Sequence, residues 1–589
     1  MLQEAVLQQQ LNEADATDSV DALDRLFHSL ISRFTRGLSP AALTLAYLDW
    51  LVHLSTHPGT RVRLTEEILR KWLRLAAYAA RSSVDPHAEP CIEPLPGDNR
   101  FDAPQWQRWP YNVIYQGFLL SQAWWHNATT GVRGVDPHHR AVVHFMGRQL
   151  LDMMSPSNFL WTNPEILDLT VEQQGRNLLR GFQHFLEDVQ RRLRGEQPVG
   201  LEEFKVGENL ACTPGKVVLR NRLIELIQYE PRTPKVAAEP VLFVPAWIMK
   251  YYILDLRPGK SLVEYLLDQG HTVFMISWKN PDAGDADLGL DDYQQLGVMA
   301  ALDAIAAIVP KRKTHLVGYC LGGTLSMITA ATMARDGDDR LASLSLFAAQ
   351  ADFTEPGELE LFIDESQVSF LEDYMREHGY LDTFQMAGAF QMIRSEDLIW
   401  SRVVREYLVG ERFPIIDLMA WNADATRLPA RMHSEYLREL FLRNDLAEGR
   451  YDVAGQPIHL GDIQVPIFAV GTVTDHVAPW KSVYKIMRLA PRTEVTFLLT
   501  TGGHNAGIVT PPGHPRRKFQ VYTRGVRDRY LPPEQFQTEV PQQPGSWWPV
   551  WREWLSRHSS GEAAPPPLGA PAKGYPPLAP APGEYVLQK

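Results

Sequence analysis

Leu64, Ile68, Trp72, Leu75 and Ala79 recur at intervals of three and four residues, the spacing that lines up side chains on one face of a helix. Periodicity of this kind runs through much of residues 23–200 and predicts a helical N-terminal domain there. The first 22 residues are polar and are expected to be flexible. Beyond Gly207 the pattern changes. Short, nearly continuous apolar runs at 241–245, 272–277, 315–318 and 344–348 alternate with helical stretches such as 291–308. Strands without polar alternation are buried on both faces, so the alternation predicts an α/β fold: a mostly parallel sheet flanked by helices. It stops over residues 352–446, which are aromatic and helical, and resumes with strands at 466–472 and 495–499. A long insertion between sheet strands reads as a cap over a site. The expected organisation is a flexible segment 1–22, a helical domain 23–200, the first part of the core 201–351, a cap subdomain 352–446, the second part of the core 447–558, and a Pro- and Ala-rich tail 559–589 expected to be disordered.

Composition removes several functional classes. The 589 residues are 45% hydrophobic and 22% charged, enough apolar material to bury sizeable cores. A net charge of −12 argues against general nucleic-acid binding, which needs a basic surface. The three cysteines, Cys91, Cys212 and Cys320, are odd in number and widely spaced, without a CxxC. That argues against a disulfide framework or a zinc site and fits a reducing compartment; no metal or cofactor is called for. The opening MLQEAVLQQQ lacks the basic head and apolar run of a signal peptide, and no stretch approaches about 18 uninterrupted apolar residues. The expectation is a cytoplasmic protein with no transmembrane segment.

The chemistry concentrates at Gly318-Tyr319-Cys320-Leu321-Gly322-Gly323, which follows one apolar strand and precedes the apolar helical run 324–334. This is a G-x-C-x-G turn, the nucleophile elbow of α/β-hydrolases with cysteine in the serine place. The turn is so sharp that side chains at 318 and 322 would meet neighbouring backbone. It lifts the thiol to a helix N-terminus, where free N–H groups and the helix dipole favour thiolate. In that fold an acid follows a late strand and a histidine follows the next. Asp475, just past the strand at 466–472, and His504, in Gly502-Gly503-His504-Asn505, stand in those places. Singly, Asp475 reads as a turn residue or helix cap, and His504 as one of 18 histidines. Order and strand context together make them the acid and base of a triad with Cys320. His476 competes with both and is read as a supporting residue beside them. The oxyanion hole is expected from the backbone N–H of Leu321 and from the loop after the first core strand, around Ala246 and Trp247.

Other segments carry a resemblance. Ser155-Pro156-Ser157-Asn158-Phe159 through Thr162-Asn163-Pro164-Glu165, the aromatic loop with Phe101, Trp106 and Pro110, Val244-Pro245-Ala246-Trp247 through Leu256, and Trp278-Lys279-Asn280-Pro281 are among them. So are Trp421-Asn422-Ala423-Asp424-Ala425-Thr426, Asn444-Asp445-Leu446 and Gly545-Ser546-Trp547-Trp548-Pro549. Together with the elbow, over about residues 80–555, they resemble the polyhydroxyalkanoate synthases, closest to the class I type that works without a partner subunit. The resemblance implies catalysis by Cys320, Asp475 and His504, a 3-hydroxyacyl-coenzyme A substrate and a growing polyester chain. It also implies a homodimer and attachment to polymer granules, with granule-associated proteins as possible partners. Three places depart from the family pattern: Met432-His433-Ser434-Glu435-Tyr436 has fewer aromatics, Arg394-Ser395-Glu396-Asp397 replaces R-P-N-D, and Asn505 stands where a β-branched apolar residue is usual. Arg394 is also a candidate contact for coenzyme A phosphates. Fold and triad alone do not exclude an intracellular polyester depolymerase or a thioesterase, but the SPSNF–TNPE and Trp547-Trp548-Pro549 segments favour a synthase; a non-catalytic granule-binding scaffold fits poorly, because all three triad positions are filled.

Overall fold

Strands β1 (Gly215–Arg220) and β2 (Ile224–Tyr229) form a hairpin that opens the sheet. The next six strands are β3 (Val241–Val244), β4 (Val273–Trp278), β5 (Thr314–Tyr319), β6 (Leu341–Phe347), β7 (Ile467–Thr472) and β8 (Val495–Thr500). They are the apolar runs expected as core strands, and β3, β4, β5, β7 and β8 are buried at every position. Then come β9 (Lys518–Arg524) and two short additions, β10 (Gln543–Pro544) and β11 (Ala579–Pro580). Among the described residues one sheet holds eleven strands, in the order β10-β9-β8-β7-β6-β5-β3-β4-β2-β1-β11. Neighbours from β4 to β8 run parallel, and the flanking pairs run antiparallel. After β3 the chain steps outward to β4 and then crosses to β5 on the other side of β3. The carboxyl ends of β3 and β5 therefore border the switch point at which open α/β sheets place their sites.

The computed structural model describes residues 24, 27–32, 34, 35, 37–393 and 395–589. The segment 1–22 and Arg394 lie outside the described residues. The described residues form two compact units: one made of those up to Gly37, Glu203–Met386 and Ile416–Lys589, which contains the sheet, and one of Leu38–Glu202 with Ala387–Ile415. The stretch 352–446, expected as a single cap, is thus shared between them.

In the second unit, helices α1 (Pro40–Thr56), α2 (Pro58–Ser82), α3 (Tyr111–Thr130), α4 (Pro137–Met153), α5 (Pro164–Glu172) and α6 (Arg176–Leu193) carry polar caps where the sequence supplies them. Ser39 caps α1, Asp136 caps α4, and Asn163 caps α5 by accepting from the N–H groups of Glu165 and Ile166. Asn163 also donates to the Ser157 carbonyl, and Trp106 donates to Glu165. The SPSNF–TNPE segment is therefore a set of local locks. Residues 387–415 join this unit because Asn177 donates to the Leu408 carbonyl and Arg412 pairs with Asp188 at 2.7 Å. On α2 the expected face is displaced. The side chains turned inward are Leu64, Glu67, Lys71, Leu75, Tyr78 and Ser82, whereas Ile68 and Trp72 are exposed. Glu67 and Lys71 pair at 3.2 Å and lay their aliphatic stems along the buried stripe, which a purely apolar pattern overlooks.

The tail corrects a further expectation. Residues 559–589 are ordered against the sheet unit: Glu562–Ala563 pairs with Val236–Ala237, and β11 adds to the edge of β1. Buried Glu225 accepts from the backbone N–H groups of Glu584 and Tyr585 and pairs with Arg220. Low hydrophobicity predicted disorder, but what orders this segment is hydrogen bonding to strand positions more than 300 residues away in sequence.

Candidate functional site

Cys320 sits between β5 and helix α7 (Leu321–Asp336) with φ 53° and ψ −123°. For a non-glycine residue this conformation costs about 1–3 kcal/mol and persists only where the surroundings impose it. They do so through glycine. A Cβ on Gly322 would run into the Val244 carbonyl at the end of β3, and one on Gly318 would meet the backbone of Gly323. Helix α7 therefore starts directly over the β3–β5 junction. Leu321 is its first residue, so the Leu321 N–H belongs to the group with no intrahelical acceptor. Across the junction lies Trp247, buried, its carbonyl accepting from Thr426 Oγ1. The two segments expected to hold an oxyanion are thus adjacent at the elbow.

Asp475 follows β7 and His504 follows β8, and β7 and β8 are neighbours in the sheet. His504 Nδ1 and Asp475 Oδ2 are 2.8 Å apart. The remaining lone pairs of Asp475 are filled by Thr472 Oγ1 at 3.0 Å and by the N–H groups of Val477 and Ala478 at 2.9 and 2.8 Å. Burial works against the charge on Asp475, but the His504 ring and these donors hold its carboxyl below the usual carboxylate range. Burial likewise opposes a charged His504. The Asp475 carboxylate and the Cys320 thiol, which is within hydrogen-bonding reach of the ring, outweigh it and raise His504 well above the ordinary histidine value. The structure thus brings Cys320, His504 and Asp475 together, each about 9% exposed. His476 is half-buried, and its carbonyl accepts from the N–H of Glu358.

An aromatic cluster centred on Tyr436 stands beside the thiol. Tyr436, from the expected cap, is buried close enough to Cys320 for the thiol's charge to raise its phenol further, after burial itself. Around it pack Trp247, Phe353, Phe441 and His433, at centroid separations of 6.4, 6.4, 5.2 and 6.1 Å. Trp421 has a different place: its indole donates to the Lys250 carbonyl and ties its own helical turn to the loop after β3.

Several residues that hold the histidine loop escaped the sequence reading. Helix α8 covers Trp548–Arg557. Just before it Trp547 donates to the Gly507 carbonyl, and Trp548 to that of Ile508. Arg517 Nη1 and Nη2 bind the carbonyls of Thr501 and Ala506. The paired tryptophans were legible as a motif, but nothing in the sequence connects them to a loop 40 residues earlier.

A family model for the "Poly-beta-hydroxybutyrate polymerase (PhaC) N-terminus" matches residues 97–266, one for the "Poly-beta-hydroxybutyrate polymerase N terminal" matches 18–60, and the alpha/beta hydrolase fold matches 239–511. The expected α/β-hydrolase core is therefore present. The poly(3-hydroxyalkanoate) polymerase of Methylorubrum extorquens is 42% identical over 85% of this chain and 82% of its own length. The corresponding PhaC subunits of Rhizobium meliloti and Cupriavidus necator are 39% and 36% identical, over 83% and 84% of this chain and 79% and 83% of their own.

The arrangement makes a distinguishing prediction about the two histidines. His504→Gln should slow alkylation of Cys320 by iodoacetamide at neutral pH by roughly tenfold or more, because the thiolate loses its counter-charge. His476→Gln should leave the rate within about twofold of the parent, since a thiol responds to the charges nearest it. Site-resolved mass spectrometry of the alkylated protein measures both, and the reverse pattern would assign the base to His476.

Proposed function

The chain belongs to the poly(3-hydroxyalkanoate) polymerase family, and from that premise we propose that it polymerises 3-hydroxyacyl groups from coenzyme A thioesters, through an acyl thioester on Cys320. The observation that carries this reading is the buried His504 ring, bonded to Asp475 through Nδ1 and facing the thiol on its other side. In the proposed reaction the Cys320 thiolate attacks the thioester carbonyl, and the tetrahedral oxyanion is met by the N–H of Leu321 and by the loop at Ala246 and Trp247. Coenzyme A leaves as its thiol, taking the proton from His504. One thioester replaces another, so the acyl group stays activated at little cost in free energy. The hydroxyl of a second 3-hydroxyacyl unit then attacks this thioester. Its proton passes to His504, or to His504 supported by Asp475, and an oxoester forms.

A thioesterase or depolymerase could use the same three side chains. Product analysis separates them: with 3-hydroxybutyryl-coenzyme A the proposed activity leaves insoluble polyester as thiol is released, whereas a thioesterase leaves free acid. Cys320→Ala should lose thiol release altogether while remaining folded by circular dichroism. Persistent release from the folded variant would remove Cys320 from the mechanism.

Water competes with the attacking hydroxyl, and the aromatic cluster is the proposed means of excluding it. Tyr436→Ala should raise the ratio of free acid to polymer several-fold. An unchanged ratio in the folded variant would take Tyr436 out of that role.

The proposal extends to place and assembly. Among the described residues no helix is long and apolar enough to cross a membrane. The α2 side chains Leu69, Trp72 and Leu73 and the α6 side chains Phe182 and Leu193 are large, apolar and exposed. We assign these faces to contact with polyester on cytoplasmic granules, with the protein working as a homodimer. Leu69→Glu/Trp72→Glu/Leu73→Glu should leave thiol release intact and shift the protein from the pelleted polymer to the supernatant once substrate is supplied. Equal partition of parent and variant, with polymer formed, would refute the assignment.

A further inference from the structure

Tyr319 Oη donates to Asn505 Oδ1 at 2.6 Å. Tyr319 immediately precedes the nucleophile and ends β5, and Asn505 immediately follows the candidate base. The Tyr319 ring also lies against the His504 imidazole, centroids 5.6 Å apart and planes inclined by 37°. We propose that Tyr319 and Asn505 form a latch that positions His504 against Cys320 as a second anchor, separate from Asp475. The proposal rests on the reading of Cys320 and His504 as nucleophile and base.

The geometry shows why a second anchor is useful. The bond to Asp475 fixes His504 at Nδ1 and leaves the tilt of the ring to its other contacts. Trp547, Trp548 and Arg517 brace the backbone of the histidine loop, but they reach it from the segments after β8. Tyr319 reaches it from the elbow itself. Its ring limits the tilt of the imidazole, and its hydroxyl keeps the loop in register with the strand that presents the thiol. Tyr319 is 2% exposed. Burial, with Cys320 and the Asp475 carboxylate nearby, keeps its phenol neutral and therefore a donor. A β-branched apolar residue at 505 would leave that buried hydroxyl without this acceptor, at a cost typical of an unpaired buried group. Asn505 and the Tyr319 hydroxyl are thus matched to each other. In the proposed reaction one base serves two nucleophiles in turn, a thiol and then a hydroxyl, while the acyl chain beside it lengthens. A base fixed at two points keeps its place through that change.

The titratable groups facing the His504 ring are Asp475 from the loop after β7, and Cys320 and Tyr319 from the elbow. The latch is tested by Tyr319→Phe, which keeps the ring, and Asn505→Val, which breaks the same bond from the other side. Either variant that folds carries the test. The readout is the pH profile of Cys320 alkylation by iodoacetamide, with Cys91 and Cys212 as internal references. Each variant should slow alkylation at neutral pH by about tenfold, the scale of a slightly misplaced catalytic group, and move the profile to higher pH. The double variant should be no slower than the worse single one, because one bond is lost in all three. In an Asp475→Asn background Tyr319→Phe should cost more than in the parent, because the last anchor then goes. Parent-like profiles in both single variants, or strictly additive losses in the double variant, would overturn the latch. If Cys320 in the parent reacts no faster than Cys91 and Cys212, the nucleophile reading fails instead, and the two failures are told apart.

Discussion

Helix α7 crosses the carboxyl ends of β3 and β5 at a distance that only glycine permits, and the site is built on that crossing. The Val244 carbonyl lies where a side chain at 322 would have to go, and the Gly323 backbone where one at 318 would go. Helix α7 is buried throughout Leu321–Met333, so it is wedged rather than laid on the surface. Its first turn is pinned as well: Ser326 Oγ donates to the Gly322 carbonyl at 2.6 Å and Thr324 Oγ1 to that of Gln350 at 2.8 Å. With the helix start and the strand end both fixed, Cys320 has one backbone conformation left, the left-handed one it adopts. Parallel pairing then sets the other members. β7 and β8 emerge at the same edge as β5, so residues following them converge above the elbow.

What converges is a set of groups that would be costly to bury singly. A buried carboxylate and imidazolium lose much of their hydration, and the pair is tolerable only when its remaining lone pairs and protons are satisfied. Asp475 meets that condition with donors on both oxygens. The consequence is rigidity, because each donor also fixes the carboxylate's orientation. The site therefore gains its directional precision from the requirement to compensate buried charge. The tryptophans of Gly545-Ser546-Trp547-Trp548-Pro549 do the same for the histidine backbone, taking up the carbonyls of Gly507 and Ile508 with two indole N–H groups.

This division explains what could be read from the chain before its structure. Strands buried on both faces announce themselves as apolar runs, and β3 through β8 were legible for that reason. The elbow and the two loops after β7 and β8 were legible because strand order fixes where chemistry can sit. Hairpin β1–β2 was not, since Glu225 and Gln228 interrupt its apolar pattern; both are buried, and both take backbone partners from residues 567–585. The same long-range bonds are why a Pro-rich tail that resembles a disordered segment is ordered. The inward stripe of α2 shifted for a related reason, a Glu67–Lys71 pair lying where only apolar residues were sought. Each miss involves a polar group whose partner is remote in sequence or whose stem, rather than its charge, is buried.

The departure of the cap from the family's aromatic pattern has a physical answer in the aromatic cluster beside the thiol. A histidine at 433 would weaken a water-excluding surface if it carried charge. Burial instead pushes His433 down to about 4, so near neutral pH it is an uncharged ring. It packs against Tyr436 at a centroid distance of 6.1 Å, much as a phenyl ring would. The cluster of Trp247, Phe353, Tyr436 and Phe441 thus brings mostly apolar ring surface together beside Cys320, while the carboxylate and imidazole of the site come from the loops after β7 and β8. For the proposed acyl transfer that asymmetry matters more than any single contact. A thioester is activated toward any hydroxyl, and the chemistry alone hardly separates a hydroxyacyl unit from water. An apolar surface separates them by solvation, since an acyl chain gains by burying its carbon there and water gains nothing.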